Sequence, residues 1–204
     1  MLTKLKQRVQ SALASQARKA HNMGLTPNAI SICGLISAFI SAALYEYALL
    51  LPATLLLLFS GYCDMLDGTL ARLYKKATPF GGFLDSLLDR YADAAVYAGI
   101  IASGLCSVPS GLVALVGSLL VSYSRARAEA ANVKMESVGL AERAERIIIL
   151  AVASLTAILW QPAMETGMIV LAALTNLTVL QRALHVYNKL ERESKPNLEP
   201  SSDT

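Results

Sequence analysis

Charged side chains are scarce in this sequence. Asp, Glu, Lys and Arg make up 16% of its 204 residues, against roughly 25% in an average soluble domain. Hydrophobic residues reach 54%, and the mean hydropathy is +0.47. That balance argues against a disordered chain, a soluble nucleic-acid binder and an ordinary water-soluble enzyme. Charge of either sign is also not in large excess: 18 basic against 15 acidic residues leave +3. The three cysteines, Cys33, Cys63 and Cys106, lack CxxC spacing, and two of them lie in apolar runs. This speaks against a disulfide framework or a zinc site, and they read as small buried hydrophobes. Strand-like alternation is slight, and no internal repeat is visible.

What the sequence has is apolar length. A bilayer core of about 30 Å needs about 20 mostly apolar residues per spanning helix. Six stretches qualify, at roughly 28–50, 53–73, 81–104, 111–130, 142–160 and 164–187, with Pro52 between the first two and Pro109 and Pro162 after the third and fifth. The expected fold is all-α: a polytopic membrane protein of about six transmembrane helices in residues 23–190. Residues 191–204 form a polar tail with Pro196 and Pro200 and are expected to be disordered.

The basic residues set an orientation. Arg72, Lys75 and Lys76 follow the second stretch, and Arg125, Arg127, Lys134, Arg143 and Arg146 flank the junction of the fourth and fifth. The opposite loops, around Pro52, Cys106 to Pro109 and Gln161 to Glu165, contain no Lys or Arg. The positive-inside rule places both termini and the basic loops in the cytoplasm of a multi-pass cell-membrane protein, and an even helix count agrees. Residues 1–22 lack the continuous apolar segment of a secretory signal. Leu2, Leu5, Val9, Ala12 and Leu13 recur at helical spacing with Lys4, Lys6 and Arg8 on other faces, which predicts an amphipathic helix at the membrane surface. Thr26 or Asn28 is placed to cap the first spanning helix, with Pro27 in its first turn.

Carboxylates stand where a membrane protein should avoid them. Asp64 and Asp67 end the second stretch, and Asp85, Asp89 and Asp93 step by four along the third. Each set shares a helix face. A central Asp costs about 2.5–3.5 kcal/mol on insertion scales, so these must face a common polar cavity near the cytoplasmic end. A short loop joins the two helices, which predicts antiparallel neighbours. Arg72 and Arg90 neutralise part of the charge, and hard divalent ions would neutralise more. No histidine lies in the cluster, so magnesium or manganese, as a carboxylate-bridged pair, suits it better than zinc. A structural Arg–Asp network, or the sodium or proton site of a transporter, would use the same residues.

The run Asp64-x2-Asp67-Gly68-x2-Ala71-Arg72-x8-Gly81-x3-Asp85-x3-Asp89 resembles the signature of the CDP-alcohol phosphotransferases at every position. The resemblance implies transfer of a phosphatidyl-type group from a CDP-linked lipid to an alcohol, with release of CMP. It implies that Asp64, Asp67 and Asp85 hold metal, that Asp89 is the catalytic base and also a metal contact, and that Gly68, Ala71 and Arg72 meet the nucleotide and its phosphates. Gly81 and Gly82 read as close packing or a turn. Asp93 lies outside the signature, either as the partner of an arginine or hydroxyl or as a support for the site.

The segments Tyr123 to Glu129 and Gly139 to Arg146, with Gln181 and Arg182, are similar to the branch that uses inositol phosphate, the phosphatidylinositol-phosphate and archaetidylinositol-phosphate synthases. That branch carries a lysine before Ala-Arg-Ala-Glu where this chain has Arg125, which keeps the charge. A phosphomonoester brings about −1.5 to −2 charge and needs its own cations. Arg125, Arg127, Arg143, Arg146 and Arg182 are the candidates, with Glu142 and Glu145 to orient them. The same charges also fit loop topology and i,i+4 pairs such as Arg125 with Glu129. Glycerol-3-phosphate is the alternative acceptor. Either a CDP-diacylglycerol or a CDP-archaeol donor fits. The resemblance further implies a homodimer among membrane lipids.

Overall fold

The computed structural model describes the backbone of residues 2–135 and 138–194, and side chains from 12 to 135 and from 138 to 191. Among these residues there are seven helices and no strand: α1 (Leu2–Asn22), α2 (Pro27–Glu46), α3 (Leu50–Leu73), α4 (Pro79–Ala102), α5 (Val108–Ala130), α6 (Arg143–Ala157) and α7 (Pro162–Ser194). Four of them, α2, α3, α5 and α7, are long and apolar enough to cross a membrane.

Capping chemistry sets the starts. The Thr26 hydroxyl accepts from Ala29 N at 3.2 Å, with Pro27 opening α2. Thr78 repeats this at α4, accepting from Gly81 N at 3.0 Å ahead of Pro79. Proline suits a first turn because the missing N–H would have no helical partner there. Pro52 does not break a helix, as its position in the sequence suggested. Helix α2 already ends at Glu46, Ala48 turns the chain at φ 54°, and Pro52 sits in the first turn of α3. Helix α7 runs on to Ser194, past the expected end near 187 and into the expected tail. The rest of that tail lies outside the described residues. So do the side chains of Leu2, Leu5, Val9, Lys4, Lys6 and Arg8, on which the amphipathic reading of α1 rests. Farther along α1, Ala17 and Ala20 are buried with Leu66 and Leu70 of α3, and His21 stacks on Tyr74 with ring centroids 3.7 Å apart.

The expected packing of the two carboxylate helices on each other is corrected: α3 and α4 each pack chiefly on α2, and their carboxylates meet beside it. Small residues on α2 make this possible. Ser37 and Ser41 donate to the Leu56 and Ala53 carbonyls of α3 at 2.8 and 2.7 Å. On the other side Gly99 of α4 lies so close to Ala42 that an added Cβ would overlap the Ala42 carbonyl. Small residues and hydroxyls are how helices approach closely in lipid, where burial of apolar surface supplies little drive. Helix α6 packs on α3 and α7, and α5 on α7 and α4. Tyr45, Thr54 and Ser154 close a buried hydroxyl cluster joining α2, α3 and α6, with Tyr45 donating to Ser154 at 3.1 Å. The result gathers the start of α4, the ends of α3, α5 and α7, and the start of α6 around one polar region.

Candidate active site

Within that region α3 contributes Asp64 and Asp67, one turn apart, and α4 contributes Asp85, Asp89 and Asp93. One carboxylate oxygen from each of Asp64, Asp67 and Asp85 lies within 4.8 Å of the others. Asp67 is 4% exposed and accepts a 2.5 Å hydrogen bond from Ser31 on α2. Neither Asp67 nor Asp85 has an ion-pair partner among the described residues. Asp67 is buried and Asp85 half-buried, and carboxylates crowded together away from water are costly unless a cation binds. The donor set is all hard oxygen, with no histidine or cysteine in the group, and so fits a magnesium- or manganese-like ion.

The remaining acids are already paired. Arg143, at the start of α6, reaches Asp89 at 2.7 Å and Asp64 at 3.1 Å through Nη1, and its Nε faces Asp93 at 3.4 Å. Arg146, one turn on and 4% exposed, donates to the other Asp93 oxygen at 2.8 Å and to the Ala141 carbonyl at 3.1 Å. Arg90 lies 4.0 Å from Asp89 and donates to the Ser86 carbonyl. Asp89 therefore stands apart from the three-carboxylate cluster, joined to Asp64 through Arg143.

Two clefts flank the acids. One, of about 340 Å³, is lined by Asp89, Asp93, Arg90, Arg125, Arg143, Arg146 and Arg182. The other, of about 170 Å³, is lined by Asn28, Asp67, Gly68, Ala71, Arg72, Gly81, Gly82 and Asp85. A narrow gap between them holds Asp64, Asp67, Asp85 and Asp89 together with Ser31 and Arg143. A Cβ on Gly68 would sit 3.3 Å from the Arg72 guanidinium, so the glycine leaves room for Arg72 to fold over this end of α3.

The five arginines expected at an acceptor phosphate divide. Arg182 is 2% exposed, and its guanidinium donates to the Val138 and Val121 carbonyls at 2.9 and 2.5 Å. Arg125 lines the larger cleft while half-exposed and pairs with Glu129 at 2.9 Å. Arg127 is exposed and does not line the cleft; two residues from Arg125, it points about 200° around α5. Arg143 belongs as much to the carboxylates as to the cleft. Glu142 and Glu145 make no ion pair with these arginines; Asp93 and backbone carbonyls fix them instead. Reading the sequence missed Ser31 and Asn28. Ser31 lies 36 residues from Asp67, and only the packing of α2 against α3 joins them.

Known proteins resemble this chain in sequence and in fold. The family model described as CDP-alcohol phosphatidyltransferase matches residues 24–180. An archaetidylinositol phosphate synthase of Methanothermobacter thermautotrophicus is 43% identical over 173 residues, covering 84% of this chain and 88% of the relative. One from Pyrococcus horikoshii is 37% identical over 193 residues, covering 94% and 99%. Among solved structures, the Mycobacterium tuberculosis phosphatidylinositol phosphate synthase with CDP-DAG bound superposes with a TM-score of 0.76 at 32% identity, over 86% of this chain and 93% of that one. The same enzyme in complex with manganese and citrate gives 0.77 at 32% identity, over 86% and 88%. With the eight signature positions inside the matched span and relatives alike over nearly its whole length, the chain belongs to the CDP-alcohol phosphatidyltransferase family, membrane-embedded transferases.

Proposed function

We propose that this enzyme transfers a phosphatidyl-type group from a CDP-linked lipid to inositol phosphate and releases CMP. The observation that carries the reading is the narrow acidic gap between two clefts. Asp67 and Asp85 are shared with the cleft of Gly68, Ala71 and Arg72, and Asp89 with the arginine-lined cleft. Donor and acceptor then meet at the carboxylates. Asp64, Asp67 and Asp85 would hold divalent magnesium or manganese, with Asp89 at the edge of that set. Such an ion supplies neutralisation of the charge that builds on a pyrophosphate as it is cleaved. Arg72 holds the donor phosphates. The acceptor hydroxyl attacks the lipid-side phosphorus, its proton passes to Asp89, and the bond to CMP breaks.

A phosphorylated acceptor explains why Arg125, Arg143, Arg146 and Arg182 converge beside an already acidic gap. Fork-like guanidinium groups bind a phosphate through paired charge-assisted hydrogen bonds, and a neutral alcohol would not need them. Relatives named as archaetidylinositol and phosphatidylinositol phosphate synthases support the same acceptor.

In the membrane, α2 to α7 form six spans. The acids of α4 face the gap rather than lipid, and α6, about 22 Å long at 1.5 Å per residue, is the shortest. Residues 23–190 form this domain. Helix α1 lies at the interface, and both termini and the site face the cytoplasm, where the basic residues gather. The enzyme acts as a homodimer.

The test is CMP release by purified enzyme with CDP-lipid and Mg2+ or Mn2+, comparing inositol-1-phosphate, free inositol, glycerol-3-phosphate and serine. Inositol phosphate should be the best acceptor by a large factor. Faster turnover with glycerol-3-phosphate would overturn the acceptor assignment, and full turnover in excess EDTA would overturn the metal assignment.

A further inference from the structure

We infer that Asp93, which lies outside the family signature, is the positioning residue of the acceptor cleft. The inference rests on the arginine-lined cleft being the acceptor phosphate site.

Both carboxylate oxygens of Asp93 are committed. One faces Arg143 Nε at 3.4 Å, and the other accepts from Arg146 Nη2 at 2.8 Å. The side chain is only 14% exposed, so these contacts are made with little water to weaken them. The two arginines occupy one face of α6, three residues apart. Asp93 sits on α4, whose main neighbours are α2 and α5, while α6 packs on α3 and α7. The carboxylate is thus a strut across the cleft between two helices that rest on different partners. Arg146 has one further hydrogen bond among the described residues, to the Ala141 carbonyl, and its Nε has none. Without Asp93, only that single contact through Nη1 is left to orient the guanidinium. Arg143 would keep Asp64 and Asp89 but lose the contact that fixes its Nε side.

Position and charge both follow. Two guanidinium groups aimed into one cleft repel each other, and an anion between them on the protein side holds them at a fixed spacing. Asp93 does this without touching the substrate. Its contribution should therefore appear in acceptor binding and not in donor binding.

The experiment measures KM for CDP-lipid and inositol-1-phosphate, and kcat, in wild type, Asp93→Asn, Arg146→Ala and the double variant, in detergent with saturating Mg2+. Asp93→Asn should raise acceptor KM about tenfold or more, leave CDP-lipid KM within about twofold, and lower kcat much less than it raises acceptor KM. The double variant should lose less than the product of the two single losses, because one of the two arginines that Asp93 holds is then gone and only Arg143 is left to be positioned. Asp93→Glu, which keeps the charge and shifts it by one methylene, should restore part of the loss. It also serves as the test if the asparagine variant does not survive purification. A folded Asp93→Asn with unchanged acceptor KM would overturn the inference, as would an unchanged acceptor KM in Asp93→Glu where that is the variant that survives purification. So would fully multiplicative losses in the double variant, or equal losses for both substrates. If Arg146→Ala itself leaves acceptor KM unchanged, the cleft assignment fails, and Asp93 with it.

Discussion

Replacing Asp67 with asparagine separates metal binding from folding. With all three acids ionised, unit charges 4.8 Å apart repel by about 3.5 kcal/mol at an effective dielectric of about 20. Asp67 has two such neighbours, so about 7 kcal/mol of repulsion bears on it. Its hydrogen bond from Ser31 returns about 1.5–3 kcal/mol. Asp67→Asn removes the larger effect and keeps an acceptor for the hydroxyl, so in EDTA the variant should be at least as stable as wild type. Added metal should act the other way. A ligand at about 100 times its Kd stabilises by about 2.7 kcal/mol, or about 5–10 °C in Tm for a chain of this size. Wild type should show that shift with Mn2+, and Asp67→Asn should lose most of it along with activity. Thermal unfolding of detergent-solubilised protein in EDTA and in Mn2+ reads both effects. A variant that melts well below wild type in EDTA, or one that keeps the full Mn2+ shift, would refute the reasoning.

Asp89→Asn should lower kcat by about 10²–10⁴, the range for loss of a general base, with CDP-lipid KM nearly unchanged in steady-state assays; near-normal kcat would move the base elsewhere. Arg182→Ala should raise acceptor KM about tenfold or more, since a charge-assisted hydrogen bond contributes about 1.5–3 kcal/mol. Arg127→Ala, outside the cleft, should leave it within about twofold; equal effects in the two variants would mean the arginines act only through overall charge. Gly99→Ala should lower stability by about 1–3 kcal/mol, the usual cost of overpacking, because its methyl group has only the Ala42 backbone to displace. An unchanged Tm would show that α2 and α4 can part freely.

What could be read in the sequence was whatever is local to one helix. The steps from Asp64 to Asp67 and from Asp85 to Asp89 to Asp93 fix which side chains share a face, whatever surrounds them. Thr26 before Pro27 marks a helix start in the same way, and the structure shows Thr26 making that cap. What could not be read depends on which helices touch. The packing of both α3 and α4 on α2 comes from small residues spread over Gly34 to Ala42, which look like ordinary membrane filler. Ser31 reaches Asp67, and Arg143 reaches three acids on two other helices, through contacts with no fixed spacing along the chain. The arginine cluster carried two meanings at once. Loop charges and ligand-binding charges have the same composition; what the sequence does not show is that Arg146 and Arg182 are buried while Arg127 is exposed.

The two clefts have a kinetic consequence. They share no lining residue, and neither is reached through the other's lining: Arg72 and Asn28 border one, and Arg125 and Arg182 the other. On the proposed assignment, the first substrate to arrive leaves the second one's entrance clear, so both orders of addition lead to the same ternary complex. No group needs to be parked on the protein between half-reactions, which makes the rate law sequential and not ping-pong. CMP would compete with the CDP-lipid for its cleft while leaving acceptor occupancy untouched, so the released nucleotide acts as a brake on one substrate alone.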